Sequence, residues 1–106
     1  MQDGVVHVTI VRVGTGEQDI ATATIVGDEM LRWLRDLDGF VGLMMLSRAG
    51  TTLTVTIWES AEVAERHRAV REEFRQRISA VADVEIQDVE DFEVTFAHVA
   101  ALMVGT

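Results

Sequence analysis

At 106 residues and 48% apolar, the chain is one domain's length and carries enough hydrophobic side chain for a core, which argues against disorder. Eighteen acidic against nine basic residues give a net charge of −9, which repels phosphate backbones and anionic lipid headgroups, so nucleic acid and membrane surfaces are poor partners. There is no cysteine, which removes disulfides and thiolate-held metals.

The opening MQDGVVHV lacks a basic stretch followed by an apolar core. No apolar run reaches the roughly 18 residues of a membrane span. A cytoplasmic protein, one domain over 1–106, is the expectation.

Val5 to Val13 alternates and is β-branched, which predicts a strand with Val6, Val8 and Ile10 on one face and His7, Thr9 and Val11 on the other. Gly14-Thr15-Gly16 is expected to end it. From Ile20 to Val26 the pattern fits a strand or a helix. A helix is firm from Asp28 to Leu37, with Asp28 and Glu29 suited to its first turn. Phe40 to Ser47, apolar on both faces, reads as a buried strand. After an Ala49-Gly50 turn, Thr52 to Trp58 reads as its hairpin partner.

Ser60 is the expected N-cap of a helix of about 20 residues. Val63, His67, Val70, Phe74, Ile78 and Val81 form its apolar stripe, with Glu62–Arg66 and Glu73–Arg77 pairs outside. Val84 to Val99 alternates again, Phe92, Val94 and Phe96 against Asp91, Glu93 and Thr95. The order β-α-β-β-α-β predicts a ferredoxin-like α+β domain, a four-stranded antiparallel sheet with two helices on one face. The strand that is apolar on both faces needs cover on both sides, which predicts a homodimer with the apolar tail from Ala97 to Val104 at its interface.

The most informative stretch is GFVGLMMLSRAGTTLTVTIWESAEVAERH, Gly39 to His67. A Gly-Phe pair opens an apolar run, a turn follows, and a strand ends at Trp58-Glu59-Ser60, with a histidine nine residues after the tryptophan. This resembles the antibiotic-biosynthesis-monooxygenase-like family. The resemblance implies a dimeric α+β barrel, a pocket between sheet and helices, and oxidation of a small aromatic phenol, quinol or anthrone without a cofactor. A non-catalytic dimeric binding or accessory protein of the same fold is the alternative.

Within that resemblance the catalytic candidates are His67 as base, Trp58 as pocket wall, and Thr9 or Trp58 as hydrogen-bond donor, with Met30, Met44, Phe40 and Phe74 as walls. Each also has a plain structural reading: His67 as a half-buried histidine on a backbone carbonyl, Trp58 as the anchor between strand and helix, Thr9 as an ordinary sheet threonine. The asparagine, tryptophan and histidine of haem-degrading relatives fall at Thr9, His67 and Gln76, so haem degradation is not implied. Relatives that oxidise aromatic polyketide precursors rely on asparagine, tryptophan and tyrosine, and this chain has no Asn or Tyr. His7, His67 and His98 lie on three elements without metal-binding spacing, and no phosphate-binding glycine loop is present. No cofactor and no metal are therefore expected. The acidic cluster Asp83, Glu85, Asp88, Glu90, Asp91 and Glu93 reads as a solvated strand edge.

Overall fold

The computed structural model describes residues 6–16, 20–82 and 85–98. The elements are β1 (His7–Gly16), α1 (Ile20–Leu34), β2 (Phe40–Arg48), β3 (Gly50–Trp58), α2 (Ala61–Arg66), α3 (Arg68–Ala82) and β4 (Glu85–Glu93). The four strands form one antiparallel sheet in the order β2-β3-β1-β4. This is the ferredoxin-like arrangement read from the sequence. Among the described residues no helix is long and apolar enough to cross a membrane.

Register settles the two faces of the sheet. His7 lies opposite Trp58, Thr9 opposite Thr56 and Val11 opposite Thr54; on the other side Thr9 lies opposite Asp91. These residues face the helices, where Met30, Leu34, Trp58, Val63, Ala64 and Phe74 form the core with Phe40 and Leu43 packed against it. Trp33 stacks on Phe74 at 4.1 Å between ring centroids. The opposite face carries Val8, Ile10, Met44, Leu46, Leu53, Val55, Ile57 and Phe92, and no helix among the described residues covers it. Met44, expected as a pocket wall, pairs with Val55 on this open face.

The ambiguous first helix begins at Ile20 and ends at Leu34, so the helical period prevails over the alternation. Asp28 and Glu29 are therefore mid-helix rather than in the first turn, and both pair with Arg32. Gly27 is tolerated for a packing reason: a Cβ there would meet Met45 Sδ at 3.0 Å, so the missing side chain lets α1 approach β2. Strand β1 runs through Gly14-Thr15-Gly16 instead of ending there, with a register irregularity against β3 between Gly14 and Gly16. Val5 and the tail from Val99 onward lie outside the described residues. Strand β4 stops at Glu93, although Val94 N–H still donates to the Val6 carbonyl.

The second helix departs most from its sequence reading. Ser60 caps it as expected, its hydroxyl accepting from Val63 N–H at 3.2 Å. At His67 the backbone leaves helical geometry (φ −99°, ψ 14°), splitting the helix into α2 and α3. On α3, Arg71 is half-buried, whereas Val70, expected on the stripe, is exposed. Arg66 pairs with Asp38 rather than Glu62. Glu73–Arg77 forms as read, and a bidentate Arg68–Glu65 pair is added at 2.7 Å.

Candidate functional site

The helix-facing side of the sheet is unusual for a protein core because its centre is polar. Thr9, Thr52, Thr54 and Thr56 are all buried there, Thr9 at 1% exposure, beside a completely buried Trp58. Valine would fill the same volume without a hydroxyl to satisfy. The three predicted site residues meet in this region, each already engaged by the protein. The Trp58 indole N–H donates to Thr56 Oγ1 at 3.3 Å, and Thr56 donates onward to the Thr9 carbonyl. The Thr9 hydroxyl donates to Asp91 Oδ1 at 2.8 Å. His67 lies 5.6 Å from Trp58 between ring centroids, and its Nε2 donates to the Asp38 carbonyl at 2.8 Å. A carbonyl only accepts, so the proton is on Nε2 and neutral His67 keeps its lone pair on Nδ1.

Three further residues join this constellation. His7, on the same face as Thr9, places Nε2 3.0 Å from Asp91 Oδ1. Asp91 stays on the solvated edge strand β4, as read from the sequence, and from there its carboxylate reaches His7 and Thr9 on β1. The third is Arg71, whose guanidinium carbon stands 5.6 Å from the Trp58 ring centroid, with Nε donating to the Ala64 carbonyl. No carboxylate among the described residues lies within ion-pair distance of Arg71. Burial and the neighbouring Arg75 charge make its protonated form less comfortable than usual, against the partial help of Asp91. Alternation alone places His7 and Arg71 on no common element. The β1–β3 register sets His7 opposite Trp58, and α3 sets Arg71 over the same ring.

Electrostatics favour a charged Asp91. Partial burial pushes its carboxyl up, but hydrogen bonds from His7 and Thr9, with the charges of His7 and Arg71, outweigh this and hold it below its usual range. Such a depressed group stabilises the fold above about pH 4, where the unfolded carboxyl is ionised, and the contribution is lost as pH falls through the folded value. The Asp91 side chain is 56% exposed, so screening limits this to about 0.5–1 kcal/mol. Asp91→Asn should lower the melting temperature by a few degrees at pH 7 and by progressively less as pH falls below about 4. A difference that persists unchanged at low pH would show that the carboxylate's charge is irrelevant to the fold. Among the described residues no three His, Asp or Glu side chains converge as a cation site.

No family model matches the chain, and no curated protein matches it either. Solved structures do. SnoaB, a cofactor-independent oxygenase from Streptomyces nogalater, is 18% identical with a TM-score of 0.56, over 89% of this chain and 96% of that one. A monooxygenase from the gene ActVA-Orf6 of Streptomyces coelicolor, in complex with nanaomycin D, is 13% identical with a TM-score of 0.55, over 93% and 94%. A Deinococcus radiodurans protein proposed to be an antibiotic biosynthesis monooxygenase is 14% identical with a TM-score of 0.59, over 92% and 98%. At such identity the likeness is one of architecture, and it spans nearly the whole length of both partners each time. The chain therefore has the ferredoxin-like α+β fold of antibiotic-biosynthesis-monooxygenase-like proteins.

Proposed function

We propose that this protein is a cofactor-independent monooxygenase for a small, flat, acidic aromatic compound of the phenol, quinol or anthrone class. The observation that carries the proposal is the buried polar wall of threonines beside Trp58, under the helices, in the fold of a known cofactor-independent oxygenase. Apolar side chains would fill that interior with no hydroxyl to satisfy, and a polar interior suits a ligand that carries oxygen substituents.

The chemistry asks little of a cofactor when the substrate is acidic enough. Loss of a proton leaves an electron-rich anion that reduces O2. An anthrone CH2 becomes a quinone C=O, with the second oxygen atom leaving as water. The protein must supply a base, exclude bulk water and offset the developing negative charge. Trp58 backs the site, Thr9 fixes Asp91, and His67 stands at the edge of the Trp58 ring. Purified protein given 1,8-dihydroxyanthrone should consume oxygen well above the buffer rate, measured with an oxygen electrode. Tight binding with no uptake would leave the non-catalytic binding module as the reading.

The assembly proposed with this function is a homodimer. The open sheet face presents Val8, Ile10, Leu46, Leu53, Ile57 and Phe92 together, and Phe92 is 47% exposed. A second copy laid face to face would bury that surface and close an α+β barrel. Light scattering at micromolar concentration should return the mass of two chains; a monomer mass would refute the assembly.

A further inference from the structure

Among the polar groups around Trp58, two stand out because the protein leaves them unused. The first is His7 Nδ1, a buried nitrogen with no hydrogen-bond partner. The second is the outer part of the Arg71 guanidinium, which uses Nε on Ala64 and meets no carboxylate. The His7 side chain is only 12% exposed, so water offers little compensation for an orphaned nitrogen there. Its tautomer follows from its neighbour. An ionised Asp91 can only accept, so Nε2 carries the proton and the lone pair rests on Nδ1. Thr9 donates to the same Asp91 oxygen and fixes the carboxylate in place.

We infer that His7, held by Asp91, is the proton acceptor of the site and that Arg71 receives the resulting aryl oxyanion. The inference rests on the oxygenase reading for its substrate class. In the step, the aryl O–H bond breaks, its proton passes to His7 Nδ1, and the electron pair stays on the substrate oxygen. The imidazolium then lies against the Asp91 carboxylate, and the oxyanion lies against Arg71 over the face of Trp58. His67 has a lone pair in the same position on its ring, but its Nε2 partner is a neutral carbonyl. A carboxylate gains a full opposite charge to interact with when its histidine is protonated, and a carbonyl does not. Charge also points to an anion here. In a chain of net charge −9, a half-buried arginine without a carboxylate is a vacant counter-charge.

The test separates proton transfer from oxidation. 1,8-Dihydroxyanthrone is mixed with protein under nitrogen, at a pH where buffer alone leaves it neutral, and the visible band of its anion is read. Wild-type protein should produce the bound anion. His7→Gln and Asp91→Asn should cut the anion yield about 10-fold or more, and oxygen uptake in air about 100-fold, each a larger loss than His67→Ala produces. Arg71→Gln should raise the Kd for the anion about 10-fold. Circular dichroism establishes which variants are folded; if His7→Gln is not, Asp91→Asn at its more exposed position decides the matter. Anion formation by wild type that survives His7→Gln or Asp91→Asn would overturn the inference. So would its loss in His67→Ala alone, or its absence from wild type. Anion formation under nitrogen without oxygen uptake in air would uphold His7 as the acceptor and defeat the oxygenase reading instead.

Discussion

Trp58→Ala is expected to cost about 3–5 kcal/mol, most of the stability that a domain of this size has. Trp58 is completely buried at the end of β3, in a cluster with residues of α1, α2 and α3. Phe40 meets it edge-on at 5.5 Å between centroids, and Leu34, Val63, Ala64 and Phe74 complete the cluster. Removing the indole leaves a cavity that short helices and a hydrogen-bonded sheet can only partly collapse into. Trp58→Phe keeps most of the volume and loses the donor to Thr56, so its cost should fall to about 1–2 kcal/mol. Urea midpoints at constant slope measure both. If the alanine variant costs under about 1.5 kcal/mol, Trp58 does not anchor the fold. The phenylalanine variant has a second use. It keeps a ring beneath Arg71 and beside His67, so a loss of ligand binding without a matching loss of stability would mark the indole itself as a contact surface.

The sequence made the architecture legible because each strand and helix had a clean period. The hairpin, the Ser60 cap and the helix-facing side of β1 all follow from local rules. The ambiguous stretch before Gly27 resolved as helix, and Gly27 itself proved to be a close-approach position against Met45. What local rules could not give was the register between distant elements. His7 and Thr9 were placed on one face, yet their shared partner Asp91 sits on a strand near the other end of the chain. Composition made Asp91 look like one of many edge carboxylates. Arg71 was hidden for a different reason. A stripe drawn through the apolar residues takes Val70 and passes over its neighbour, whereas Arg71, one helical turn from both His67 and Phe74, is the residue that reaches Trp58. The break between α2 and α3 coincides with the His67 side chain reaching the Asp38 carbonyl, a tertiary bond that no periodicity encodes.

That same loop carries the second large effect. Gly39→Ala should destabilise the protein by about 2–4 kcal/mol, for two reasons that can be separated. Gly39 has φ of 86°, a left-handed conformation that costs an L-residue roughly 1–2 kcal/mol. A Cβ built there would also overlap Val63 Cγ1 and stand 3.0 Å from Cγ2 and 3.2 Å from the Val63 Cβ. Val63 cannot simply retreat, because its N–H is held by the Ser60 cap and its side chain is in the core. Overpacking of this kind adds about 1–3 kcal/mol. Val63→Ala alone should cost about 1.5 kcal/mol through two lost methyl groups. It removes both clashing Cγ atoms, so the double variant should be less damaged than the sum of the singles by about 1 kcal/mol, leaving mainly the backbone strain. Strict additivity would show that the clash relaxes elsewhere and that strain at Gly39 is the whole effect. The site should register the change as well. The carbonyl that holds His67 belongs to Asp38, one residue away, and the Gly39 carbonyl accepts from Glu59 N–H at 2.9 Å at the end of β3. A shift of this turn would therefore move His67 and Trp58 together.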